Sequence, residues 1–128
     1  MAGEPIDLHE TDIDPEMVRR LLQHAPLSVS QTVIVARGPQ VIAHRGALRQ
    51  MEAADVAVYV TEYWRDKGQT LRLQFMRLPL AAAGHMILTY PLVGDYRLTL
   101  VDAEDAPLNA LRRLGSQLLG VLRAAGLV

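Results

Sequence analysis

Few residues in this sequence have the types and spacing that catalysis or metal binding requires. The histidines are far apart in the chain, so none forms the closely spaced pair that is typical of a zinc site. They are His9, His24, His44 and His85. Cysteine is absent, which excludes disulfides, thiol catalysis and thiolate metal ligands. We therefore expect no metal site and no bound cofactor.

Motifs for nucleophilic catalysis and phosphate binding are also absent from the sequence. It contains neither a glycine-rich phosphate loop nor a Gly-x-Ser-x-Gly nucleophile elbow. Ser28, Ser30 and Ser116 have no evident base beside them in the sequence, although pairing in space stays open. An arginine finger is conceivable at Arg37, Arg45 or Arg49, but loop arginines are commonly solvated. We predict no catalytic residue and a chain that is not an enzyme.

The stretch Gly46–Asp66 concentrates polar side chains on one side of a predicted helix. They recur three and four residues apart, which aligns them at about 100° per residue. This acidic ridge comprises Glu52, Asp55, Tyr59, Glu62 and Asp66. It is either an ordinary solvent-facing side or a surface for a basic partner. We interpret it as a candidate partner surface.

Most of the remaining circumference of this helix, roughly 240° of arc, is apolar or small. A helix that lies on one sheet usually has a narrower apolar stripe. The excess predicts a second covering surface, from this chain or from another copy. The residues predicted to contact a second copy are Ala53, Val56, Ala57, Val60, Tyr63 and Trp64. Ala53, Ala57 and Val60 could instead face the sheet. The arc also contains Met51, Ala54 and Val58.

Capping and turn residues divide the rest of the chain into helices and strands. Asp14 and Pro15 predict the start of a first helix, which Pro26 ends. The β-branched run within residues 28–36 predicts a strand that is buried on both faces. The other predicted elements are a turn at 37–40, a strand at 41–44, the helix 46–66 capped by Gly68, strands at 70–78, 86–93 and 96–101, and a last helix opened by Asp105 and Pro107 and closed by Gly126.

The predicted strand Thr70–Leu78 has alternating character. Leu71, Leu73 and Phe75 lie on one side, with mainly polar residues on the other, which suits an edge position. An unpaired edge beside an exposed apolar helix promotes aggregation unless it is covered. Since two-fold pairing covers both surfaces at once, we predict that these three residues join the long helix in a homodimer interface.

The order of elements predicts an α+β fold, αββαβββα. Short connections favour a five-stranded, mainly antiparallel sheet, and helices must cover its apolar faces. One domain is predicted over residues 14–128, preceded by an acidic N-terminal arm over residues 1–13. Lacking any basic residue, this arm is either solvated or a docking segment.

Composition narrows the possible partners and location. The formal net charge of the 128 residues is −1 and no basic cluster occurs, so we expect no nucleic-acid partner. No apolar run approaches the ~18 residues of a membrane helix, so we expect no membrane insertion. The N-terminus lacks the basic start and apolar centre of a signal peptide, which predicts a cytoplasmic protein.

Three stretches together resemble the Roadblock (dynein light-chain) family of small regulatory domains. Residues 33–44 resemble that family's first hairpin, although Gly38-Pro39-Gln40 stands where the family often has Asp-Gly. The small-residue helix from Gly46 resembles its second helix. Residues 98–101 and 106–113 resemble its last strand and helix. The resemblance implies a Roadblock/profilin-like fold, homodimers formed through the second helix and third strand, and no catalytic machinery.

The same resemblance implies a function. The leading hypothesis is a non-enzymatic, homodimeric regulatory or scaffold module that binds a small Ras-like GTPase or another signalling protein. The alternative is a small-molecule-sensing or other protein-interaction domain of similar architecture, because such folds can enclose a ligand. Val33, Val35, Leu98 and Leu100 would line that cavity, although they have the character of plain core.

Overall fold

The computed structural model describes residues 13–67, 72–77 and 84–128, with residues 65–67 and 72 described by their backbone alone. Its helices are α1 (Pro15–Gln23), α2 (Gln50–Lys67) and α3 (Leu108–Ala124). Its strands are β1 (Thr32–Arg37), β2 (Gln40–Gly46), β3 (Arg72–Met76), β4 (His85–Pro91) and β5 (Tyr96–Ala103). The predicted acidic arm, apart from Ile13, and the predicted Gly68 cap lie outside the described residues.

The strands form one five-stranded sheet in the order β2-β1-β5-β4-β3, and every neighbouring pair is antiparallel. The predicted α+β fold, αββαβββα, is therefore confirmed. Strand β1 lies inside the sheet and is buried on both faces, as its β-branched run predicted. Strands β2 and β3 are the two edges of the sheet.

Helices cover both faces of the sheet. On one face, α1 and α3 contribute Val18, Leu22 and Leu111 to a core that also contains Val35 and Leu98. The other face carries a separate core beneath α2. That second core includes Ile34, Ala36, Ile87 and Val101 from the sheet and Ala53, Val56, Ala57, Val60 and Trp64 from the helix. The fold thus has three layers, and burial of its apolar side chains is the main stabilising contribution.

Both ends of α1 are capped by side chains. The Asp14 carboxylate accepts a hydrogen bond from the backbone N–H of Glu16 at 3.0 Å, as expected for the predicted N-cap. At the other end, Arg45 Nε donates to the Leu22 carbonyl oxygen at 2.8 Å, and Arg45 Nη2 donates to that of Ala25. These carbonyl oxygens also accept the backbone N–H groups of Ala25 and Leu27, so Arg45 adds a charged donor to a C-terminus that the backbone already closes.

The predicted start of the long helix at Gly46 is wrong. Gly46 is the last residue of β2, and its φ of 130° is a conformation that side chains rarely adopt. A Cβ atom there would lie 2.6 Å from Thr32 Cα. The chain turns after this glycine, and α2 therefore begins only at Gln50.

The predicted opening of the last helix is also partly wrong. The N-cap residue is Pro107, and no side chain makes a capping hydrogen bond there, so Asp105 does not cap α3. The other boundaries differ from the prediction by a few residues, most clearly at β1, which begins at Thr32 instead of residue 28.

Gly115 in α3 lets the helix approach β4, where Tyr90 packs. A Cβ atom at this position would lie 2.6 Å from Tyr90 Cζ and would overlap the ring. We expect Gly115→Ala to lower the free energy of unfolding by about 1–3 kcal/mol, because overpacking forces the ring to move. Gly120→Ala is the matched control: its Cβ atom would have nothing within 4 Å, and it should be neutral or slightly stabilising. Urea unfolding of both variants measures the difference. Equal stability of the two would contradict this packing.

Candidate interaction surface

Helix α2 crosses one face of the sheet and leaves its outer side uncovered within the described chain. It follows β2 at one edge of the sheet and precedes β3 at the opposite edge. Its inward residues Ala53, Val56, Ala57, Val60 and Trp64 are at most 3% exposed. These residues, predicted to contact a second copy, therefore pack against this chain's own sheet. Such a contact can use only the outer side of α2.

The outer side of α2 combines apolar and acidic residues. Met51 is 80% exposed, Val58 47% and Tyr63 38%. The Tyr59 and Tyr63 rings are parallel, with centroids 6.5 Å apart. Asp55 and Glu62 are exposed among them. Met51 and Val58, which belong to the wide apolar arc but not to the predicted interface, are thus exposed on this outer side.

The acidic ridge is only partly free to meet another protein. The backbone N–H of Arg49 donates to Glu52 Oε1 at 2.9 Å, so Glu52 caps the start of α2. Tyr59 is half-buried, whereas Asp55 and Glu62 are exposed. The Asp66 side chain lies outside the described residues. Asp55 and Glu62 are therefore the carboxylates best placed for a partner.

Edge strand β3 has its polar side inward and its apolar side outward. Leu73 is 42% exposed and Phe75 51%, whereas Gln74 is only 6% exposed. Met76 packs against the core beneath α2, so alternation directs Leu73 and Phe75 to the opposite face. Neither amide atom of Gln74 has a hydrogen-bond partner. Leu71, the third predicted interface residue of this strand, lies outside the described residues.

Arg97 fixes the C-terminal half of α2 on the sheet. Its guanidinium group donates from Nη2 to Thr61 Oγ1 at 2.6 Å and lies 5.4 Å from the centroid of the Trp64 ring. Arg97 is 7% exposed, and this burial lowers the pKa of the guanidinium group. Its place in the alternating pattern of β5, two residues before Thr99, marks it as facing α2.

The three arginines that were candidates for an arginine finger contact other residues of this chain. Arg37 Nε lies 3.2 Å from Asp95 Oδ1, and Arg45 caps α1. Arg49 is exposed and lies beside Glu52, with Arg49 Nε 3.9 Å from Glu52 Oε1. None of these contacts identifies a catalytic role.

Ser30 has a partner that sequence spacing could not reveal. Its Oγ donates to Asp102 Oδ1 at 2.7 Å across 72 positions of the chain, and Gln31 Nε2 donates to the other carboxylate oxygen at 3.3 Å. These bonds satisfy a carboxylate that is 2% exposed. In the described part of the chain, no group of three or more acidic, histidine or cysteine residues could hold a metal ion.

The described interior does not open into a ligand cavity at the predicted positions. Val33, Val35, Leu98 and Leu100 are fully buried in the core beneath α1 and α3. The two described cavities lie between other residues at the surface. Among the described helices, none is both long and apolar enough to span a bilayer.

Solved structures share this arrangement of helices and strands. A Roadblock/LC7 domain from Streptomyces avermitilis superposes with a TM-score of 0.57, covering 90% of this chain and 98% of that domain at 14% sequence identity. The chain has the Roadblock/LC7 fold. Myxococcus xanthus MglB is also similar, with a TM-score of 0.53 over 85% of this chain and 84% of that protein at 14% identity.

At the level of sequence, no family model and no curated protein matches the chain. The comparison with solved structures therefore identifies the fold where the two comparisons of sequence find no match. It agrees with the resemblance drawn from the hairpin, the long helix and the last strand and helix.

The contact between Arg97 and Thr61 gives a direct test of how α2 is held. We expect Thr61→Val to lower the free energy of unfolding by about 1–3 kcal/mol, because a buried guanidinium N–H loses its acceptor. Thr61→Ser retains the hydroxyl group and should cost much less. Since Trp64 is the only tryptophan, its fluorescence during urea unfolding reports on this contact. Equal losses in the two variants would contradict it.

Proposed function

We propose that the chain is a non-enzymatic, homodimeric regulatory or scaffold module that binds a small Ras-like GTPase in the cytoplasm. The Roadblock/LC7 fold supports this proposal, since the family resemblance implies that function. Two exposed features carry it: the outer side of α2, with its apolar and acidic side chains, and Leu73 and Phe75 on edge strand β3. In the described part of the chain, β3 has a neighbouring strand on one side only.

The homodimer would form by antiparallel pairing of β3 with β3 of a second copy. If the two-fold axis passes at Gln74, Leu73 of one copy lies opposite Phe75 of the other, on the same face of the sheet. Both residues are exposed in the single chain. Pairing would bury them and would provide partners for the outward N–H and C=O groups of the edge.

The polar side chain of Gln74 supports this register of the two β3 strands. Its amide is buried without a hydrogen-bond partner, which costs about 1–3 kcal/mol. Both amide atoms are covered in the single chain, so on pairing they would have to turn outward; an amide both donates and accepts, so two glutamines facing each other across a two-fold axis can then satisfy one another. Strand β2, the other edge, pairs with β1 through residues that are mostly half-buried and offers no comparable apolar pair.

The GTPase would contact the acidic residues of α2 that the homodimer leaves accessible. Asp55 and Glu62 are exposed and carry no described ion pair. Two copies side by side would place two such sets on one surface. A basic patch on a GTPase would be steered to that surface by charge.

The first test concerns the homodimer. We expect the wild-type chain to be a dimer by sedimentation equilibrium at micromolar concentration. Leu73→Lys/Phe75→Lys should be a folded monomer, because four lysines would meet at the two-fold axis. Val93→Lys is the matched control, since Val93 is 43% exposed but lies in the β4–β5 turn, and it should remain a dimer. A folded wild-type monomer would refute the assembly.

The second test concerns the GTPase. Asp55→Lys/Glu62→Lys should lose the Ras-like GTPases that the wild-type chain retains from host lysate with a non-hydrolysable GTP analogue. Folding and dimerisation should survive, because exposed charges contribute little to stability. Glu104→Lys/Asp105→Lys makes the same charge change on a distant loop and should retain them. Mass spectrometry of the eluates measures the recovered GTPases. Equal recovery by both variants would show that α2 is not the GTPase-binding surface.

A further inference from the structure

A groove runs between α1 and α3, on the side of the sheet opposite α2. Its main cavity, of about 680 Å³, is lined mostly by apolar groups, including Leu21, Ala25, Leu118 and Val121. A second depression of about 280 Å³ shares Pro26 and Gln117 with it and extends toward Ser28 and Arg113. The groove is thus continuous along the two helices.

Exposed apolar side chains lie at this groove. Val121 is 43% exposed and lines the main cavity, and Val29 in the neighbouring α1–β1 loop is 97% exposed. Single exposed apolar residues are ordinary on protein surfaces. Here they accompany a concave apolar surface, which is the shape that receives side chains from another molecule.

The charge around the groove is positive. Arg20 lines the main cavity and Arg113 the second depression. Among the described residues, neither Arg20 nor Arg113 makes an ion pair. Helix α3 carries Arg112, Arg113 and Arg123 but no acidic residue, and the Glu16 carboxylate of α1 is engaged by Arg19 at 2.6 Å.

The two sides of the molecule therefore differ in charge, although the net charge is only −1. Exposed carboxylates lie on α2, and guanidinium groups that make no ion pair within residues 13–67, 72–77 and 84–128 lie beside the groove. A partner that suits one side would be repelled by the other, since like charges disfavour contact. The groove is thus suited to a partner different from the one proposed for α2.

We propose that the groove between α1 and α3 binds an acidic amphipathic segment of a partner protein. Apolar side chains of that segment enter the cavity beside Leu21 and Val121, and its carboxylates pair with Arg20 and Arg113. Carboxylate–guanidinium pairs can be bidentate, which fixes the orientation of the segment. A concave apolar floor favours a peptide over a membrane surface, which is broad and flat, and over nucleic acid, which binds mainly through phosphates.

The test selects random linear peptides displayed on phage against the immobilised 128-residue chain. Peptides that are enriched should have net negative charge and at least two apolar residues. Synthetic labelled copies should bind in fluorescence anisotropy, with affinity that falls as salt rises.

Substitutions then locate the binding surface. Arg20→Glu/Arg113→Glu should weaken the enriched peptides by at least ~10-fold, because both carboxylate partners are reversed. Val121→Glu should weaken them by filling the apolar floor with a charge. Arg19→Glu/Arg123→Glu reverses two arginines of the same helices that do not line the described cavities, and it should bind as the wild type does. Circular dichroism confirms that each variant is folded.

Several results would overturn the proposal. One is enrichment of peptides without acidic residues, or equal binding to Arg20→Glu/Arg113→Glu. Another is binding of phosphatidylserine vesicles with the same arginine dependence and no enriched peptide, which would identify a membrane surface. A third is tighter peptide binding by the Glu4→Gln/Asp7→Asn/Glu10→Gln variant of the 128-residue chain, which would identify the chain's own N-terminal residues as the occupant.

This test is independent of the proposed GTPase function. Asp55→Lys/Glu62→Lys changes the opposite side of the sheet and should leave affinity for the enriched peptides unchanged. Loss of GTPase recovery with retained peptide binding, or the reverse, separates the two surfaces.

Discussion

The contact between α2 and the sheet determines which side of this helix is available to other molecules. Small residues at Ala53 and Ala57 let the helix approach the strands closely, and Val56, Val60 and Trp64 complete the buried side. Arg97 adds a hydrogen bond and a contact with the Trp64 ring near the C-terminal half of the helix. Once this side is buried, Met51, Asp55, Val58, Glu62 and Tyr63 necessarily face outward.

The fold could be predicted because its local sequence preferences agree with one another. The run from Thr32 to Ala36 is β-branched where a strand is covered on both faces, and Asp14 caps the helix that follows it. The start of α2 could not be predicted from the sequence. Position 46 needs glycine because Gln31 and Thr32 approach it closely in the folded chain, and these residues are far from it along the sequence. Likewise, the pairing of Ser30 with Asp102 becomes visible only when β1 and β5 are adjacent.

The candidate surface was predictable only in part. A wide apolar arc indicates that two surfaces cover the helix. The residue types in the arc do not indicate which of its sides contacts the sheet. The predicted interface therefore included Val56 and Trp64, which the chain buries itself, and it omitted the exposed Met51 and Val58. The shared exposed side of Leu73 and Phe75 agrees with the alternation of the strand, a simpler pattern than the arc of a helix, and their place in an interface stays a prediction. The buried Gln74 gave no comparable indication, since its polar type is typical of an exposed position.

The central claim is that edge strand β3 pairs with a second copy while edge strand β2 does not. Backbone amide hydrogen exchange, followed by NMR at a high and a low protein concentration, tests it within one molecule. The claim predicts that amides of β3 not bonded to β4 exchange more slowly at the high concentration, whereas the outward amides of β2 exchange at the same rate at both. Unchanged exchange along β3, or protection along β2 instead, would contradict it.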